Sequence, residues 1–229
     1  MHVPDGFLDA PTSVGTAVVA GGVVAACLVR SARHELDDRS APLAGLVAVF
    51  IFAAQMVNFP VGAGTSGHLI GAALAAVLVG PATATLCLTV VLAVQAFLFA
   101  DGGVSALGTN VLLMGVVAVW VGYGTFRLAL AVLPRRLSSV SVAAGIGALV
   151  GVPMAALAFV GLYALGGAAP IPLAQLAAVM TGWHVLIGVG EALITMLAVS
   201  SIVATRPDLV YGARDRLPAL ELRTPEPVA

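Results

Sequence analysis

Residues 141–165 read SVAAGIGALVGVPMAALAFVGLYAL, a stretch that contains no charged side chain. A helix of this length rises about 37 Å at 1.5 Å per residue, which exceeds the roughly 30 Å hydrocarbon core of a bilayer. Its apolar residues run continuously, whereas the strands of a membrane barrel alternate apolar and polar positions over about ten residues. The stretch therefore predicts a transmembrane helix.

The whole chain has the same character. Of its 229 residues, 60% are hydrophobic and only 9% are charged, and the mean hydropathy is +1.09. Soluble domains carry about 25% charged residues. We therefore predict an all-α integral membrane protein. Cys27 and Cys87 both lie in apolar stretches without a partner at chelating spacing, and we expect them to be small buried residues.

Apolar segments along the chain predict about seven transmembrane helices. They cover approximately residues 12–29, 42–57, 68–80, 82–100, 109–133, 141–165 and 182–204. The third segment is short for a full crossing, so this helix is expected to be tilted, partly re-entrant or half-buried. Irregular backbone at membrane depth is tolerated where it lines a cavity, and we expect the preceding NFPVGAGTSG stretch to line a site. Residues 1–205 are predicted to form one transmembrane domain and residues 206–229 a cytoplasmic tail.

The basic residues indicate an orientation. All ten are arginines, namely Arg30, Arg33, Arg39, Arg127, Arg135, Arg136, Arg206, Arg214, Arg216 and Arg223. With seven crossings and an extracytoplasmic N-terminus, every arginine falls in or beside a cytoplasmic loop or the C-terminal tail, as the positive-inside rule requires. A cleaved signal peptide is the competing interpretation of the first thirty residues, but it lacks a basic leader.

Polar residues collect in the outer half of this arrangement. They are His2, Gln55, Asn58, His68, Gln95, Asp101, Asn110, His184 and Glu191. Polar groups at membrane depth often mark a site, although each one alone can be a hydrogen-bonded structural residue. Three of the four histidines lie on this side. His34 lies in RSARHELDDRS and is expected to be solvated.

Histidine at position two offers a specific chelate. The α-amine of Met1, the backbone nitrogen of His2 and Nδ1 of its ring can close a five-membered and a six-membered ring on one metal ion. A retained Met1 with a free amine is therefore expected. Binding is expected to displace protons, because an ordinary amine titrates near pH 8 and histidine near pH 6.5.

A nitrogen-rich, roughly square-planar donor set suits nickel(II) or copper(II), and less neatly cobalt(II). His68 is the expected fourth ligand, because TSGHLIG places it near the first turn of the third helix. The positive end of the helix dipole would disfavour the imidazolium form and so keep this ring able to bind a metal.

Four ordered motifs carry a family resemblance: MHVPDGFLDAPTS, NFPVGAGTSGHLIG, QAFLFADGGVSALGTNVLLMG and HVLIGVGEALIT. They resemble the CbiM/NikM family, the cobalt- and nickel-specific S components of energy-coupling-factor transporters. The resemblance covers Met1 to about Arg214. It implies a seven-helix S component that holds its metal through Met1, His2 and His68. Further candidates, which would order the ligands or the surrounding loops, are Asp5, Asp101, Asn110, His184 and Glu191.

The resemblance also implies partners in a prokaryotic cell membrane: a transmembrane coupling subunit, two ATPase subunits and, for cobalt members, a small accessory membrane subunit. The chain contains no lysine and hence no phosphate-binding loop of the G-x-x-x-x-G-K-[ST] type, so ATP hydrolysis is expected in separate subunits. We expect neither enzymatic activity, nor a resident cofactor, nor a nucleic acid partner.

Other functions stay open at this stage. A stand-alone transporter or channel for a divalent metal is the main alternative, although Glu191 is the one deep carboxylate available for proton coupling. A membrane metallohydrolase would need an open metal position and a general base. A purely structural subunit would not need three histidines on one side. The residues do not decide between cobalt and nickel.

Overall fold

A computed structural model of the chain describes residues 1–37, 40–62 and 65–217. Its helices are α1 (Ala10–His34), α2 (Ser40–Met56), α3 (Ala72–Val79), α4 (Pro81–Leu98), α5 (Leu107–Val132), α6 (Ser138–Gly166) and α7 (Leu173–Thr205). Each predicted apolar segment overlaps one of these helices, although α7 begins at Leu173, before the predicted residue 182, and α3 begins at Ala72, after the predicted residue 68. Five of them, α1 and α4 to α7, are long and apolar enough to cross a membrane. The prediction of a helical membrane protein is therefore confirmed, whereas seven crossings and the orientation stay predictions.

The third helix is the short one, as its sequence indicates. All eight residues of α3 are buried inside the protein, and a helix of this length rises only about 12 Å. Glycines with positive φ stand at both ends, Gly71 at +74° and Gly80 at +91°. Pro81 is the first residue of α4. A backbone N–H at this position would have no partner within the helix, so proline costs no hydrogen bond there. The chain therefore turns sharply on either side of an internal helix.

A small hairpin precedes α3 within the predicted irregular stretch. Strands β1 (Phe59–Gly62) and β2 (Thr65–Gly67) pair in antiparallel fashion, with Phe59 opposite Gly67. Gly67 is tightly enclosed, because a Cβ atom there would lie 2.5 Å from a methyl group of Val61 and 3.0 Å from Ile187. The hairpin thus fixes the backbone that leads into His68.

Helix α5 is not uniform. Its first turn, Leu107–Asn110, is α-helical, Val111–Val117 is π-helical, and Ala118–Val132 is α-helical again. A π-helical turn widens the helix locally and is frequent beside functional sites. Here the wider turn directly follows Asn110.

Small residues allow α5 and α6 to pack closely. A Cβ atom on Gly147 would lie 2.6 Å from the carbonyl oxygen of Gly122, and one on Gly151 would lie 2.9 Å from that of Ala118. Lipid is as apolar as the side chains, so the hydrophobic effect does not drive helices together within a membrane. Close packing of backbones through small residues is a usual basis of their association instead.

The segment after α7 folds back onto the helices. Two 3₁₀ helices, Pro207–Leu209 and Tyr211–Arg216, follow Thr205. Val210 and Ala213 are fully buried, and a Cβ atom on Gly212 would lie 2.6 Å from the ring of Phe126.

Polar contacts of this segment reinforce the packing. Arg127 forms an ion pair with Asp215 at 2.8 Å, and the guanidinium of Arg216 donates to the carbonyls of Leu130 and Pro134. The first part of the predicted tail is therefore attached to the helical domain, and residues 218–229 lie outside the described ranges. Cys27 and Cys87 are buried and free, as expected.

Candidate metal centre

The N-terminal segment is threaded into the protein. Met1 and Val3 are each 1% exposed and His2 is 5% exposed. The backbone N–H of Val3 donates to Oδ1 of Asn110 at 2.8 Å, and its carbonyl accepts from Nδ2 of Asn110 at 3.2 Å and from the N–H of Gly103 at 2.9 Å. Asn110, a predicted ordering residue, therefore binds the backbone next to His2.

Hydrogen bonds of Asp5 and its neighbours hold the same N-terminal segment in place. Oδ1 of Asp5 accepts from the backbone N–H of Ser105 at 2.8 Å and from its hydroxyl at 2.5 Å, and these bonds lower the pKa of Asp5. Gly103 lies against this turn, since a Cβ atom there would be 2.3 Å from the backbone nitrogen of Asp5. Further along, the N–H of Asp9 donates to the carbonyl of Gly166 at 2.7 Å.

The ring of His2 contacts three residues. Its Nε2 lies 3.0 Å from Oε1 of Gln95, and its Nδ1 lies 3.2 Å from Oδ1 of Asp101. One face stacks on the ring of His68, with centroids 4.4 Å apart and planes at 25°. Two of the predicted ligands and a predicted ordering residue, Asp101, are thus in direct contact.

His68 presents an unpaired nitrogen to the interior. The residue is 1% exposed, and its Nδ1 lies 2.9 Å from the carbonyl oxygen of Leu69. Because a carbonyl only accepts, Nδ1 carries the hydrogen and Nε2 carries a free lone pair. Nε2 is buried and has no hydrogen-bond partner. An unsatisfied buried polar atom costs about 1–3 kcal/mol, so this nitrogen suggests a bound ligand.

The cause of the neutral state of His68 differs from the prediction. The residue lies before α3 rather than in its first turn, because the helix begins at Ala72. The pKa of His68 is held well below 6.5 by burial first, and then by the Met1 amine, His2 and His184. The helix-dipole argument is therefore replaced by burial among basic groups.

The Met1 amine is also kept neutral. Its complete burial lowers the pKa from 8.0 to about 4, against a smaller opposing effect of Asp101. At neutral pH burial thus favours the uncharged forms of this amine and of His68. The expectation that metal binding displaces protons stays a prediction, since the backbone nitrogen of His2 must still lose its proton to join the chelate.

Glu191 holds the backbone that follows His68. Its two carboxylate oxygens accept from the N–H groups of Ile70 at 2.7 Å and Gly71 at 2.8 Å. The amide of Gln55 donates to the carbonyl of Ile70 at 2.9 Å. Glu191, a predicted ordering residue, therefore fixes the path between His68 and α3.

His184 is fully buried on α7. Its Nδ1 lies 2.8 Å from the carbonyl oxygen of Met180, and its Nε2 has no hydrogen-bond partner. Asn58 donates to Oδ2 of Asp101 at 3.2 Å. All eight candidate residues thus lie in or around one buried region.

Gln95 is the residue whose role the sequence did not reveal. It appeared only as one of several polar residues at membrane depth, yet it is fully buried and contacts the ring of His2. Its position in α4, 93 residues from His2, gives no local signal of that contact.

The arrangement is suited to a divalent ion with a preference for nitrogen ligands. Within residues 1–37, 40–62 and 65–217, no group of three or more His, Cys, Asp or Glu side chains is arranged to hold a metal. A metal at this position would therefore need the amine or backbone nitrogens in addition to imidazoles.

The sequence of this chain is similar to that of known transport proteins. The family model CbiM, described as a cobalt uptake substrate-specific transmembrane region, matches residues 2–209. A protein of Haloquadratum walsbyi named for metal transport is 41% identical over 92% of this chain and 94% of its own length. A fused protein of Archaeoglobus fulgidus named for nickel transport is 39% identical over 92% of this chain and 68% of its own length.

A solved structure agrees with the sequence relatives. The crystal structure of a truncated transition metal transporter superposes with a TM-score of 0.82 at 33% identity, covering 89% of this chain and 99% of that one. These proteins are transporters rather than enzymes. The chain belongs to the CbiM family of cobalt uptake substrate-specific transmembrane proteins.

Proposed function

We propose that this chain is the substrate-capture subunit for uptake of cobalt or nickel ions. The ion is held by the Met1 amine, the backbone nitrogen and Nδ1 of His2, and Nε2 of His68. The observation that carries the proposal is the buried stack of His2 on His68, at 4.4 Å between ring centroids, next to a buried Met1.

The surrounding contacts support this donor set. Gln95 places an acceptor at Nε2 of His2, so the ring can keep its hydrogen on Nε2 when the ion takes Nδ1, the nitrogen that faces Asp101 in the structure. Metal-bound histidines usually donate their other ring nitrogen in this way. Both His2 and His68 would thus be oriented before the ion arrives.

Charge in the buried site is also balanced. Asp101 lies 3.2 Å from Nδ1 of His2, and its pKa is lowered first by that ring. An ion bound at Nδ1 would lie close to this carboxylate, and the backbone nitrogen of His2 would lose its proton to the chelate. Two negative charges would then offset the ion, which matters because an unpaired buried charge is very costly.

Energy for uptake is proposed to come from partners: two ATPase subunits and a transmembrane coupling subunit, with a small accessory membrane subunit where cobalt is the substrate. The chain has no lysine for a phosphate loop. The arginine distribution supports an extracytoplasmic N-terminus in a prokaryotic cell membrane. Labelling of single cysteines placed at Asp5 and at Arg135 from outside intact cells tests this orientation.

An additional residue in front of Met1 tests the metal site. Such an extension moves the amine away from the ring of His2 and breaks the chelate, so calorimetric affinity for Ni²⁺ and Co²⁺ should fall about 100-fold or more. The same residue added after Ala229 is the matched control and should leave affinity unchanged. Mass spectrometry of the purified protein establishes whether Met1 is its first residue. Unchanged affinity of the extended protein would refute the chelate.

A further inference from the structure

A polar cavity surrounds the C-terminal end of α5, roughly 25 Å along that helix from Asn110. Its volume is about 230 Å³, whereas one water molecule needs only about 10–15 Å³. The charged part of its wall consists of Arg127, Arg135, Asp215 and Arg216. The cavity therefore has room for a charged group of several atoms, and none of its lining residues belongs to the candidate metal centre.

The cavity has an excess of positive charge. Three guanidinium groups line it, but only one carboxylate does, and that carboxylate of Asp215 pairs with Arg127 at 2.8 Å. Arg135 is exposed and forms no ion pair within the described parts of the chain. An anion that entered the cavity would therefore meet two positive charges that no protein group neutralises.

Two of the three guanidinium groups are already held in place. Arg216 donates to the carbonyls of Leu130 and Pro134, which lie where a helix leaves its last carbonyls without partners. Arg127 is held by Asp215. Fixing a long side chain costs conformational entropy. Because folding has already fixed these two, a ligand would have to order only Arg135.

The remaining wall of the cavity is apolar and adjoins the lipid-facing side of α5. It consists of Leu130, Ala131 and Leu133. Nearby on the same helix, Leu128 is 72% and Val132 is 85% exposed, as expected for side chains that contact acyl chains. A soluble anion has no use for such a wall, whereas a phospholipid presents a phosphate and an acyl chain side by side. Basic pockets at the ends of transmembrane helices bind anionic headgroups in this way.

We propose that this cavity binds one anionic phospholipid. Arg127, Arg135 and Arg216 surround its phosphate, and the first part of an acyl chain lies along Leu130 and Leu133. The planar donors of a guanidinium group match the oxygens of a phosphate, and the excess of positive charge favours an anionic headgroup over a zwitterionic one. The lipid would contact both α5 and the segment after α7. This site does not depend on the proposed metal-binding function.

Native mass spectrometry of the protein in a neutral detergent, titrated with phosphatidylglycerol, tests the site. We expect one saturable lipid per chain. In Arg135→Gln its affinity should fall about fivefold, the contribution of one arginine near an anionic surface. Arg33→Gln is the matched control, because Arg33 is an exposed arginine in the last turn of α1, and it should leave the affinity unchanged. Equal losses in the two variants would indicate diffuse attraction of charge and overturn the site.

A second variant fills the cavity without changing its charge. Ala131 is an exposed residue of its wall, so Ala131→Trp should fold normally and abolish the saturable binding. Val132→Trp is the control, since Val132 is its neighbour in α5 but does not line the cavity. Binding that survives in Ala131→Trp would overturn the assignment to this cavity, whatever the outcome for Arg135→Gln.

Two further ligands identify the chemistry. Phosphatidylcholine has a phosphate but no net charge, and it should bind about fivefold or more weakly than phosphatidylglycerol. Equal binding of the two lipids would overturn the preference for an anionic headgroup. Inorganic phosphate at the concentration of the lipid should not displace phosphatidylglycerol. If it does, the cavity is a site for a soluble anion, and the assignment to a lipid fails.

Discussion

Glu191 and Gly71 are joined by a hydrogen bond of 2.8 Å, although 120 residues separate them in the sequence. The other oxygen of the same carboxylate accepts from Ile70 at 2.7 Å. This pair of bonds connects α7 to the backbone that carries His68. A carboxylate is the side chain that can satisfy two adjacent backbone donors with two equivalent acceptors.

The first prediction concerns this carboxylate. In Glu191→Gln the amide has only one oxygen, so one backbone N–H loses its acceptor and the remaining bond loses its charge. We expect the free energy of unfolding to fall by about 1–3 kcal/mol and nickel affinity to fall about tenfold. Thermal unfolding and calorimetry in detergent measure the two effects.

Glu35 provides a matched control for Glu191. It is also a buried carboxylate, and it accepts from the backbone N–H groups of Ala82 at 3.2 Å and Thr83 at 2.7 Å. Glu35→Gln should lower stability in the same range while nickel affinity stays constant. Equal losses of affinity in both variants would mean that Glu191 acts on stability alone.

The second prediction concerns Gln95. In Gln95→Leu the ring of His2 loses its partner at Nε2, the nitrogen that must carry the ring hydrogen when Nδ1 binds the ion. Affinity for Ni²⁺ should fall about tenfold, as for other residues that orient metal-bound histidines. Gln175→Leu, at an exposed position of α7, is the control. An affinity for Gln95→Leu that matches the control would exclude an orienting role.

The third prediction concerns pH in the absence of metal. The unfolded chain takes up protons on the Met1 amine and on His68 as pH falls below about 8 and 6.5, respectively. The folded chain does not, since burial lowers the pKa of the amine to about 4 and that of His68 well below 6.5. At these two groups the unfolded state therefore binds more protons between about pH 4 and 8, so their contribution to stability is lost as pH falls through this range.

Thermal unfolding in detergent at several pH values measures this dependence. The N-terminally extended protein should show a weaker slope, because its amine is no longer buried. His68→Leu should weaken the slope below about pH 6.5 for the same reason. An equal slope in the unmodified and the N-terminally extended proteins would contradict the neutral, buried amine.

The fourth prediction concerns Gly103. In Gly103→Ala the new Cβ atom would lie 2.3 Å from the backbone nitrogen of Asp5, so the N-terminal segment must move. We expect a loss of about 1–3 kcal/mol in stability and of about tenfold or more in nickel affinity. Gly161→Ala is the control, because nothing lies within 4 Å of a Cβ atom there. Normal affinity in Gly103→Ala would show that the segment tolerates displacement.

The sequence predicted what depends on continuous patterns. Long apolar runs indicate helices because each helix must present apolar side chains to lipid, and the short third run correctly indicated a helix that cannot cross alone. The proposed chelating pair Met1 and His2 could be named from the sequence because its chemistry is local. These features need no knowledge of which helix packs on which.

Features that depend on pairing over distance were not predictable in the same way. Glu35 lies in a charged stretch that resembles a solvated loop, yet it is 2% exposed because it accepts from the start of α4. Asn110 meets Val3 across 107 residues, and no periodicity encodes that contact. The attachment of Tyr211–Arg216 to the helices was missed for the same reason.

Two carboxylates hold the opposite ends of α3. Glu191 binds the backbone at Gly71, and Glu35 lies against Gly80, where a Cβ atom would be 2.6 Å from its carboxylate carbon. Between them is an eight-residue helix without an exposed side chain, which behaves as a stiff rod of about 12 Å. This rod therefore connects the loop that carries His68 with the start of α4, where Glu35 at the end of α1 accepts from Ala82 and Thr83.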